Sequence, residues 1–335
     1  MIQNMNILAI ESSCDETAAA VVEDGRIVRS DVIASSAELH KLYGGVVPEI
    51  ASRKHLECIS QVTERALEQA GLSFSDIDTV AVTYGPGLIG ALLVGMSYAK
   101  ALSFALQKPL VAVHHIKAHL AANYLEHPDL KPPFVGLVAS GGHSHIIFAA
   151  DWMDFEVLGK TRDDAAGEAF DKVARTLGLG YPGGPLLEAL AREGDETVYT
   201  FPRVAFDNFD FSFSGVKTAV INAMHRAEQT KTPINRADIA ASFQCAVADV
   251  LVEHTLAAAR KKRVDTVVMA GGVSANTYLR ERFAKECASQ GLSFLCPRPR
   301  YCTDNAVMVG CAAYFMAQES RFCSLDENAY ASLPF

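Results

Sequence analysis

The sequence lacks a Cys-x-x-Cys pair, an excess of positive charge and an uninterrupted apolar run of membrane-spanning length. Its eight cysteines are scattered, which favours reduced thiols in a cytoplasmic protein over a disulfide framework. Residues 1–6 are not typical of a signal peptide. The most apolar segment, residues 88–106, carries Lys100 and several small residues, so it predicts a buried helix rather than a membrane span. We therefore expect a cytoplasmic location without a membrane contact.

The charge balance is acidic, with 30 Lys and Arg against 39 Asp and Glu and a net charge of −9. The overall field of such a chain does not attract nucleic acid, so any contact of that kind needs a local basic patch or a partner. Residues 260–263 read Arg-Lys-Lys-Arg and are one candidate. They are more typical of a helix end, where basic side chains complement the helix dipole.

A short apolar strand, residues 110–113, ends at two adjacent histidines, and a helical pattern follows it. His115 and His119 are four residues apart, which places both imidazoles on one face of a helix, roughly 5–6 Å apart at Cβ. They can hold one metal ion, or they can simply end the strand. Ile116 stands where a peptidase of the His-Glu-x-x-His type needs its glutamate, which argues against that chemistry.

The turn at residues 11–17 lies between two predicted strands of a hairpin sheet edge and is dense in Ser, Thr, Asp and Glu. Hydroxyl groups and free backbone N–H groups can cradle a phosphate, while carboxylates can hold a metal or accept a proton. An ordinary polar turn has the same composition.

The chain predicts an α/β protein of two duplicated domains, because the order of strands and helices begins again after a proline-rich segment. With 335 residues, half of them hydrophobic, it can form two cores. We expect a first domain at residues 1–130 and a second at 131–303, with an insertion at about 194–236. The final helix, at about 304–325, is expected to pack back near the first domain.

Glycine-rich turns follow two predicted strands of the second half, at residues 140–144 and 271–276. Such turns allow a phosphate to approach the backbone, and the helix predicted after the second turn favours an anion at its N-terminus. Asn276 suits a hydrogen bond to ribose or phosphate, and it suits a helix N-cap equally well.

Asp304 stands before the last helix, at the junction that corresponds to the histidine pair of the first half. If the two halves face each other, His115, His119 and Asp304 converge across a cleft. Two histidines and one carboxylate form a known catalytic metal set with open coordination positions.

Eight motifs occur in one order along nearly the whole chain. They are Glu-Ser-Ser-Cys-Asp-Glu-Thr (11–17), His-x-x-x-His (115–119), Ser-Gly-Gly-His (140–143), Gly-Glu-Ala-Phe-Asp-Lys (167–172), Tyr-Pro-Gly-Gly-Pro (181–185), Phe-Ser-Phe-Ser-Gly-Val-Lys-Thr (211–218), Gly-Gly-Val-Ser-Ala-Asn (271–276) and Cys-Thr-Asp-Asn (302–305). Together they resemble the TsaD family, also called Gcp or YgjD. The resemblance implies two actin/Hsp70/sugar-kinase-like (RNase H-like) domains with a cleft between them. The tail at residues 330–335 matches no motif and has no assigned role.

The resemblance also implies an activity. Members transfer the threonylcarbamoyl group of threonylcarbamoyl-AMP to N6 of adenosine 37 in tRNAs that read codons starting with A, forming t6A and releasing AMP. The implied partners are tRNA, the paralogous subunit TsaB and the small ATPase TsaE.

Site residues carry over motif by motif. His115, His119 and Asp304 resemble the ligands of one Fe²⁺ per subunit, or of Zn²⁺. Asp15 and Glu16 match the acidic pair of the first turn, either of which can accept the N6 proton. The residues that resemble a site for an adenine nucleotide (threonylcarbamoyl-AMP, ATP or AMP) are Val138, Ala139, Ser140, Gly141, Gly142, Asp171, Gly184 and Asn276.

A stripe of small residues recurs every four positions along the helix predicted at 88–107. Its members are Gly87, Ala91, Gly95, Ala99 and Ser103. Such a stripe lets another helix approach closely, so it can contact the paralogous subunit, or it can face the chain's own sheet.

Three other functions compete with the transferase. A kinase or ATPase of the same superfamily needs a carboxylate and magnesium but not the His–His–Asp set. A metallopeptidase lacks its glutamate here. A non-catalytic nucleotide-sensing scaffold has no need of all three metal positions.

Overall fold

Two five-stranded sheets, each in a compact unit of its own, form the framework of the chain in the computed structural model, which describes residues 4–204 and 206–335. Unit 1 consists of Met1–Lys131 and Pro297–Phe335, and unit 2 is Pro132–Cys296. The chain therefore leaves unit 1, builds unit 2 and returns to unit 1 for its last 39 residues, Pro297–Phe335.

The strands are β1 (Asn6–Glu11), β2 (Glu16–Glu23), β3 (Ile27–Ser35), β4 (Thr79–Gly85), β5 (Leu110–His114), β6 (Phe134–Ala139), β7 (Ser144–Asp151), β8 (Asp154–Lys160), β9 (Thr266–Ala270) and β10 (Ser293–Leu295). The helices are α1 (Ala37–Lys41), α2 (Pro48–Ala70), α3 (Ile89–Leu106), α4 (His115–Glu126), α5 (Ala166–Thr176), α6 (Gly183–Ala191), α7 (Ser214–Thr230), α8 (Arg236–Lys262), α9 (Thr277–Ser289) and α10 (Ala306–Gln318).

The two sheets have the same topology. In unit 1 the strand order is β3-β2-β1-β4-β5, with β1, β2 and β3 antiparallel and β4 and β5 parallel to β1. In unit 2 the order β8-β7-β6-β9-β10 repeats the same pattern of directions. The prediction of an α/β fold built from two like halves is therefore confirmed.

Both faces of the unit 1 sheet are buried, as the apolar run of β1 requires. Successive side chains of a strand point to opposite faces. Ile10 packs in a cluster with Leu92 and Met96 of α3, whereas Ala9 faces α10, where a Cβ on Gly310 would lie 3.3 Å from the Cβ of Ala9. The last helix of the chain thus forms one covering layer of the first sheet.

The interpretation of the small-residue stripe on α3 as a protein interface is wrong. Ala91 and Ala99 are fully buried, and Gly95 belongs to the same buried face. A Cβ on Gly95 would lie 2.2 Å from Ser12 Oγ, and Ser12 donates a hydrogen bond to the Ala91 carbonyl (3.0 Å). The stripe is small because the chain's own first sheet lies against it.

The prediction that α3 is buried also needs correction, since only one of its faces is covered. Ile89, Leu93 and Phe104 are exposed. By length and composition alone α3 and α8 are apolar enough to cross a membrane. The most apolar stretch of α8 is 83% buried in its unit, against 33% for that of α3. Core helices have the same length and composition, so these two helices do not by themselves indicate a membrane span.

Three elements of unit 2 were not predicted. The edge strand β8 follows β7, helix α6 begins within the Tyr-Pro-Gly-Gly-Pro motif (181–185), and helix α7 lies inside the predicted insertion. Val216 and Val220 of α7 are buried in the core of unit 2. The insertion is therefore part of the folded unit.

Candidate functional site

The junction of β5 and α4 places the two histidines of the predicted metal pair. The strand ends at His114, whose Nδ1 accepts a hydrogen bond from the Ile116 N–H (3.2 Å) and so caps the helix that begins at His115. One helical turn later comes His119, and the two imidazole centroids are 4.6 Å apart. The i, i+4 spacing therefore brings both rings together as predicted.

Asp304 completes this cluster from the start of α10. Its Oδ1 lies 3.5 Å from His115 Nε2 and 3.2 Å from His119 Nε2. One ligand atom from each of the three residues lies within 4.8 Å of the others. We refer to His115, His119 and Asp304 as the triad.

The expected convergence across a cleft is wrong, because all three residues of the triad belong to unit 1. Helix α10 is apolar on nearly every side and buries its residues against the unit 1 sheet and α4. Asn305 caps α10 by accepting the Met308 N–H (2.9 Å), which fixes the start of the helix and so the position of Asp304 beside α4.

Glu11 is a site residue that the sequence analysis missed. It is fully buried at the end of β1. Its Oε1 accepts the Ser13 N–H (2.6 Å) and its Oε2 accepts the Thr83 hydroxyl (2.6 Å). Oε2 also lies 3.3 Å from His115 Nδ1. A carboxylate accepts, so Nδ1 carries a proton, and Nε2, which lies on the side of Asp304, is the nitrogen left to bind a metal ion, as in metal-binding histidines held by an outer carboxylate.

Burial and charge act in opposite directions on these groups. Burial lowers the pKa of His115, but the carboxylates of Asp304 and Glu11 outweigh it and raise that pKa to about 9. Burial raises the pKa of Glu11, but the charge and hydrogen bond of His115 outweigh it, so the pKa lies below the ordinary value. For His119 burial prevails and lowers the pKa. Without a metal ion, the positive charge of the His115 imidazolium therefore offsets part of the negative charge of the Glu11 and Asp304 carboxylates.

The triad fits a divalent metal ion. His119 is fully buried, and its Nδ1 has no hydrogen-bond partner among residues 4–204 and 206–335. Its Nε2 points at a carboxylate that His115 Nε2 also approaches. Two imidazoles and one carboxylate suit Fe²⁺ or Zn²⁺ and leave coordination positions open.

The acidic turn is held by hydrogen bonds to β3 and the residue after it. Ser36 donates both its N–H (3.0 Å) and its hydroxyl (2.8 Å) to the Asp15 carbonyl, and Ser35 Oγ donates to Glu16 Oε1 (3.2 Å). Burial, together with the charges of Asp304 and Asp15, raises the pKa of Glu16 to about 9. Glu16 is therefore protonated near neutral pH in the metal-free chain.

Two further buried histidines support this turn, and no motif predicted them. His55 Nε2 donates to the Cys14 carbonyl (2.9 Å), which leaves Nδ1 to accept the Thr17 hydroxyl (2.8 Å). His40 Nδ1 accepts the Val47 N–H (3.2 Å), and its Nε2 lies 3.1 Å from Ser36 Oγ. Both rings act as rigid supports of the turn.

Unit 2 contains a cavity of about 300 Å³ beside its glycine turns. Its lining residues are Gly141, Gly167, Phe170, Asp171, Pro182, Gly184, Pro185, Glu188, Gly272, Val273, Ala275 and Asn276. Four of the predicted nucleotide residues are among them, namely Gly141, Asp171, Gly184 and Asn276. Phe170, Pro182 and Glu188 are lining residues that motif reasoning did not single out.

The polar lining of this cavity is already organised by the protein. Asp171 Oδ1 accepts the N–H groups of Gly183 (2.8 Å) and Gly184 (3.3 Å) at the start of α6. Burial still raises the pKa of Asp171. Asn276 is the N-cap of α9, accepting the Leu279 N–H (2.9 Å), and it donates to Gln244 Oε1 (2.8 Å). The helix-cap role of Asn276 is therefore present in the structure.

Glycines around the cavity serve two purposes. Gly271 has φ +86°, and a Cβ there would lie 2.5 Å from the Ala139 carbonyl oxygen, so this glycine is required by the fold. A Cβ on Gly141 or Gly184 would meet no atom within 4 Å in the described chain. Those two positions leave space for a ligand. Val138 and Ala139 end β6 with fully buried side chains, so only their backbone can reach a ligand.

Two solved structures share the fold of this chain at low sequence identity. HypF in its phosphate- and nucleotide-bound form matches 95% of this chain and 56% of its own, with a TM-score of 0.65 and 17% identity. Component A of (R)-2-hydroxyglutaryl-CoA dehydratase from Acidaminococcus fermentans matches 94% of this chain and 99% of its own, with a TM-score of 0.57 and 16% identity. The fold is that of the actin, Hsp70 and sugar-kinase superfamily.

The particular family follows from the sequence comparisons. The model of the family TsaD, tRNA N6-adenosine threonylcarbamoyltransferase, matches residues 27–311. The enzyme of that name from Clostridium botulinum (strain 657 / Type Ba4) is 56% identical over 99% of this chain and 98% of its own length. That from Clostridium kluyveri (strain ATCC 8527) is 55% identical, with the same two shares. This chain belongs to the TsaD family.

Proposed function

We propose that this chain transfers the threonylcarbamoyl group of threonylcarbamoyl-AMP to N6 of adenosine 37 in tRNAs that read codons starting with A. The observation that carries the proposal is the match to tRNA N6-adenosine threonylcarbamoyltransferases over nearly the full length of both chains. The products are the modified tRNA and AMP. The competing kinase, ATPase and peptidase functions leave the His–His–Asp triad or the family match unexplained.

The cavity of unit 2 is the proposed site for the adenosine part of the donor. Gly141 and Gly184 leave open space in it, because a Cβ at either position would meet no described atom within 4 Å. Phe170 offers an aromatic wall. Asp171 holds the turn at Gly183 and Gly184 in place and so keeps the opening of the cavity in one shape.

The triad of unit 1 would hold one Fe²⁺, or Zn²⁺, with Glu11 fixing the tautomer of His115. When bound, such an ion supplies Lewis-acid stabilisation of negative charge on carbonyl or phosphate oxygens. The protein's own part is to keep Asp304 Oδ1 within 3.5 Å of both Nε2 atoms and to shield them, since both imidazoles are buried.

Asp15 is the proposed acceptor of the N6 proton. Glu16 is protonated near neutral pH in the metal-free chain, because burial and its acidic neighbours raise its pKa to about 9. A protonated carboxyl group is a poor base, although it can donate a hydrogen bond. The backbone at Asp15 is fixed by two hydrogen bonds from Ser36, so its carboxylate is presented from a rigid turn.

Partner proteins are part of this proposal. The net charge of −9 gives the chain no general attraction for tRNA, so we propose that TsaB and TsaE are needed for efficient modification. The small-residue stripe is not available for TsaB, because it is buried. The exposed side chains of Ile89 and Leu93 on α3 and Leu56 on α2 offer an apolar surface in its place.

The experiment is mass spectrometry of adenosine 37. Unmodified tRNA, threonylcarbamoyl-AMP and the partner proteins are incubated with the wild-type chain and with His119→Ala. We expect t6A with the wild type, and loss of it with the variant. A tRNA that stays unmodified would contradict the proposal. Transfer of the γ-phosphoryl group of added ATP to another acceptor would favour the kinase.

A further inference from the structure

Residues 330–335, the last six of the chain, lie against the turn between β4 and α3 and against the start of α4, the helix that carries His115 and His119. Neither the eight motifs nor the match of the family model, which ends at residue 311, covers this segment. Tyr330 and Phe335 are at least partly exposed, so the segment is not simply core. Its contacts fall into two groups, and each group leads to His115 of the triad.

The first group clamps the turn between β4 and α3. The N–H of Tyr330 donates to the Tyr84 carbonyl (2.8 Å), and the N–H of Gly87 donates to the Ala331 carbonyl (3.1 Å). The rings of Tyr84 and Tyr330 meet edge to face at 5.9 Å. A Cβ on Gly85 would lie 2.5 Å from the Tyr330 carbonyl oxygen, which shows how closely the two backbones approach.

The turn between β4 and α3 also contacts Ser13. The N–H of Leu88 donates to the Ser13 carbonyl (2.8 Å), and a Cβ on Gly87 would lie 2.6 Å from the same oxygen. Ser13 then reaches the triad in two ways. Its hydroxyl lies 3.2 Å from His115 Nδ1, and its N–H donates to Glu11 Oε1 (2.6 Å).

The second group reaches His115 from the other side. The ring of Phe335 packs edge to face on His114, with centroids 5.3 Å apart, and Lys117 Nζ lies 5.2 Å from the Phe335 centroid. His114 caps α4 through its Nδ1. The terminal side chain therefore packs on the residue before His115 and on the residue two after it, in the first turn of the helix.

We propose that residues 330–335 form a positioning segment for His115, which holds its Nε2 lone pair in the direction that a divalent metal ion requires. The inference rests on the proposed metal site. Two separate routes, through Ser13 to Nδ1 and through His114 to the helix start, fix the tilt and the location of the same imidazole. Asp304 lies outside both routes, so removal of the segment should distort one ligand rather than abolish the site.

The test is the affinity of the metal-free full-length chain for Co²⁺, a spectroscopic probe, measured by competition with a chelator. A chain that ends at Ala329 keeps the buried anchor of the segment and loses both routes. We expect it to bind Co²⁺ about 10- to 100-fold more weakly, the range seen when outer-shell partners of metal ligands are removed. The visible Co²⁺ bands should shift, because they respond to the geometry of the ligands.

Point variants separate the two routes. Phe335→Ala should show a smaller loss than the truncation, and Phe335→Trp should restore most of the affinity by keeping an aromatic ring on His114. Leu325→Ala is the matched control, an exposed apolar residue of the same C-terminal stretch. It should bind Co²⁺ like the wild type.

Wild-type affinity and an unshifted spectrum in the truncated chain would overturn the inference. So would an equal loss in Leu325→Ala, which would mean a general loss of stability. If the full-length chain itself binds no Co²⁺, the proposed metal site fails, and this inference fails with it.

Discussion

The two units share one strand order but differ in the residues that follow several of their strands. In unit 1 the carboxyl ends of β1 and β5 carry Glu11 and His114, followed by the acidic turn and His115. In unit 2 the carboxyl ends of β6 and β9 lead into glycine turns. Carboxylates and imidazoles suit a cation, while glycines with open backbone suit a nucleotide. The common sheet thus fixes where a site can lie, and the few residues after each strand decide what it binds.

The comparison is tested most strongly by removing one ligand of the triad. His119→Ala should lower metal affinity at least 100-fold and abolish t6A formation, because one of three ligands is lost from a fully buried position. Nucleotide binding in unit 2 should stay unchanged. His127→Ala, at the end of α4, is the control. Metal analysis together with calorimetric nucleotide titration checks this, and full metal content in the His119 variant would refute the assignment of the triad.

The converse substitution is Gly184→Trp in unit 2. No described atom lies within 4 Å of a Cβ placed there, so the indole should occupy the cavity without disturbing the fold. We expect at least tenfold weaker binding of a non-hydrolysable adenylate analogue and an unchanged metal content. Gly45→Trp is a control, since its Cβ position is also open, its φ is not positive, and it lies outside the cavity lining. Equal affinity in wild type and Gly184→Trp would mean that the nucleotide binds elsewhere.

Replacing a glycine by a residue with a side chain should also change the stability of the two units by different amounts. Gly95→Leu in unit 1 forces atoms against Ser12 and Val82, so it should cost about 1–3 kcal/mol or more of stability. Gly141→Ala in unit 2 should leave the melting temperature close to that of the wild type, because its Cβ enters open space. Thermal unfolding compares the two. An unchanged melting temperature for Gly95→Leu would reopen the interface interpretation of the stripe.

The last prediction concerns the charge on Glu16, and its size depends on pH. In the metal-free chain its pKa is about 9, above the ordinary 4.5, because of burial and the charges of Asp304 and Asp15. Folding therefore takes up a proton between these two pH values, and wild-type stability falls as pH rises through that window. Glu16→Gln lacks this penalty. Its melting temperature should match the wild type at pH 4 and exceed it increasingly up to pH 9. A difference that shrinks with rising pH would contradict the assignment.

Most of the framework was predictable because it rests on local patterns. Apolar runs bounded by turns predicted β1, β6 and β9, and the spacing of His115 and His119 placed both rings on one helix face. Strand β8 was missed because it is an edge strand, most of whose residues are at least partly exposed. Helix α6 was missed because Pro182, Gly183, Gly184 and Pro185 are typical of loops, although proline is tolerated in the first turn of a helix.

The sequence could not predict which residues that are far apart in the chain lie next to each other in the fold. Glu11 is 104 positions from His115, and their contact depends on the pairing of β1, β4 and β5 in one sheet. The unit to which Asp304 belongs depends on which sheet α10 covers, and nothing in the apolar pattern of that helix specifies it. The small-residue stripe was ambiguous for the same reason, since a buried helix and an interface helix need the same close approach.

The return of the chain to unit 1 has a consequence for biosynthesis. A ribosome makes the two histidines early, then the whole of unit 2, and only then Asp304. A nascent or prematurely terminated chain that lacks Asp304 therefore cannot assemble the triad. If the triad holds a metal ion as proposed, all three ligands are present only after synthesis has passed residue 304.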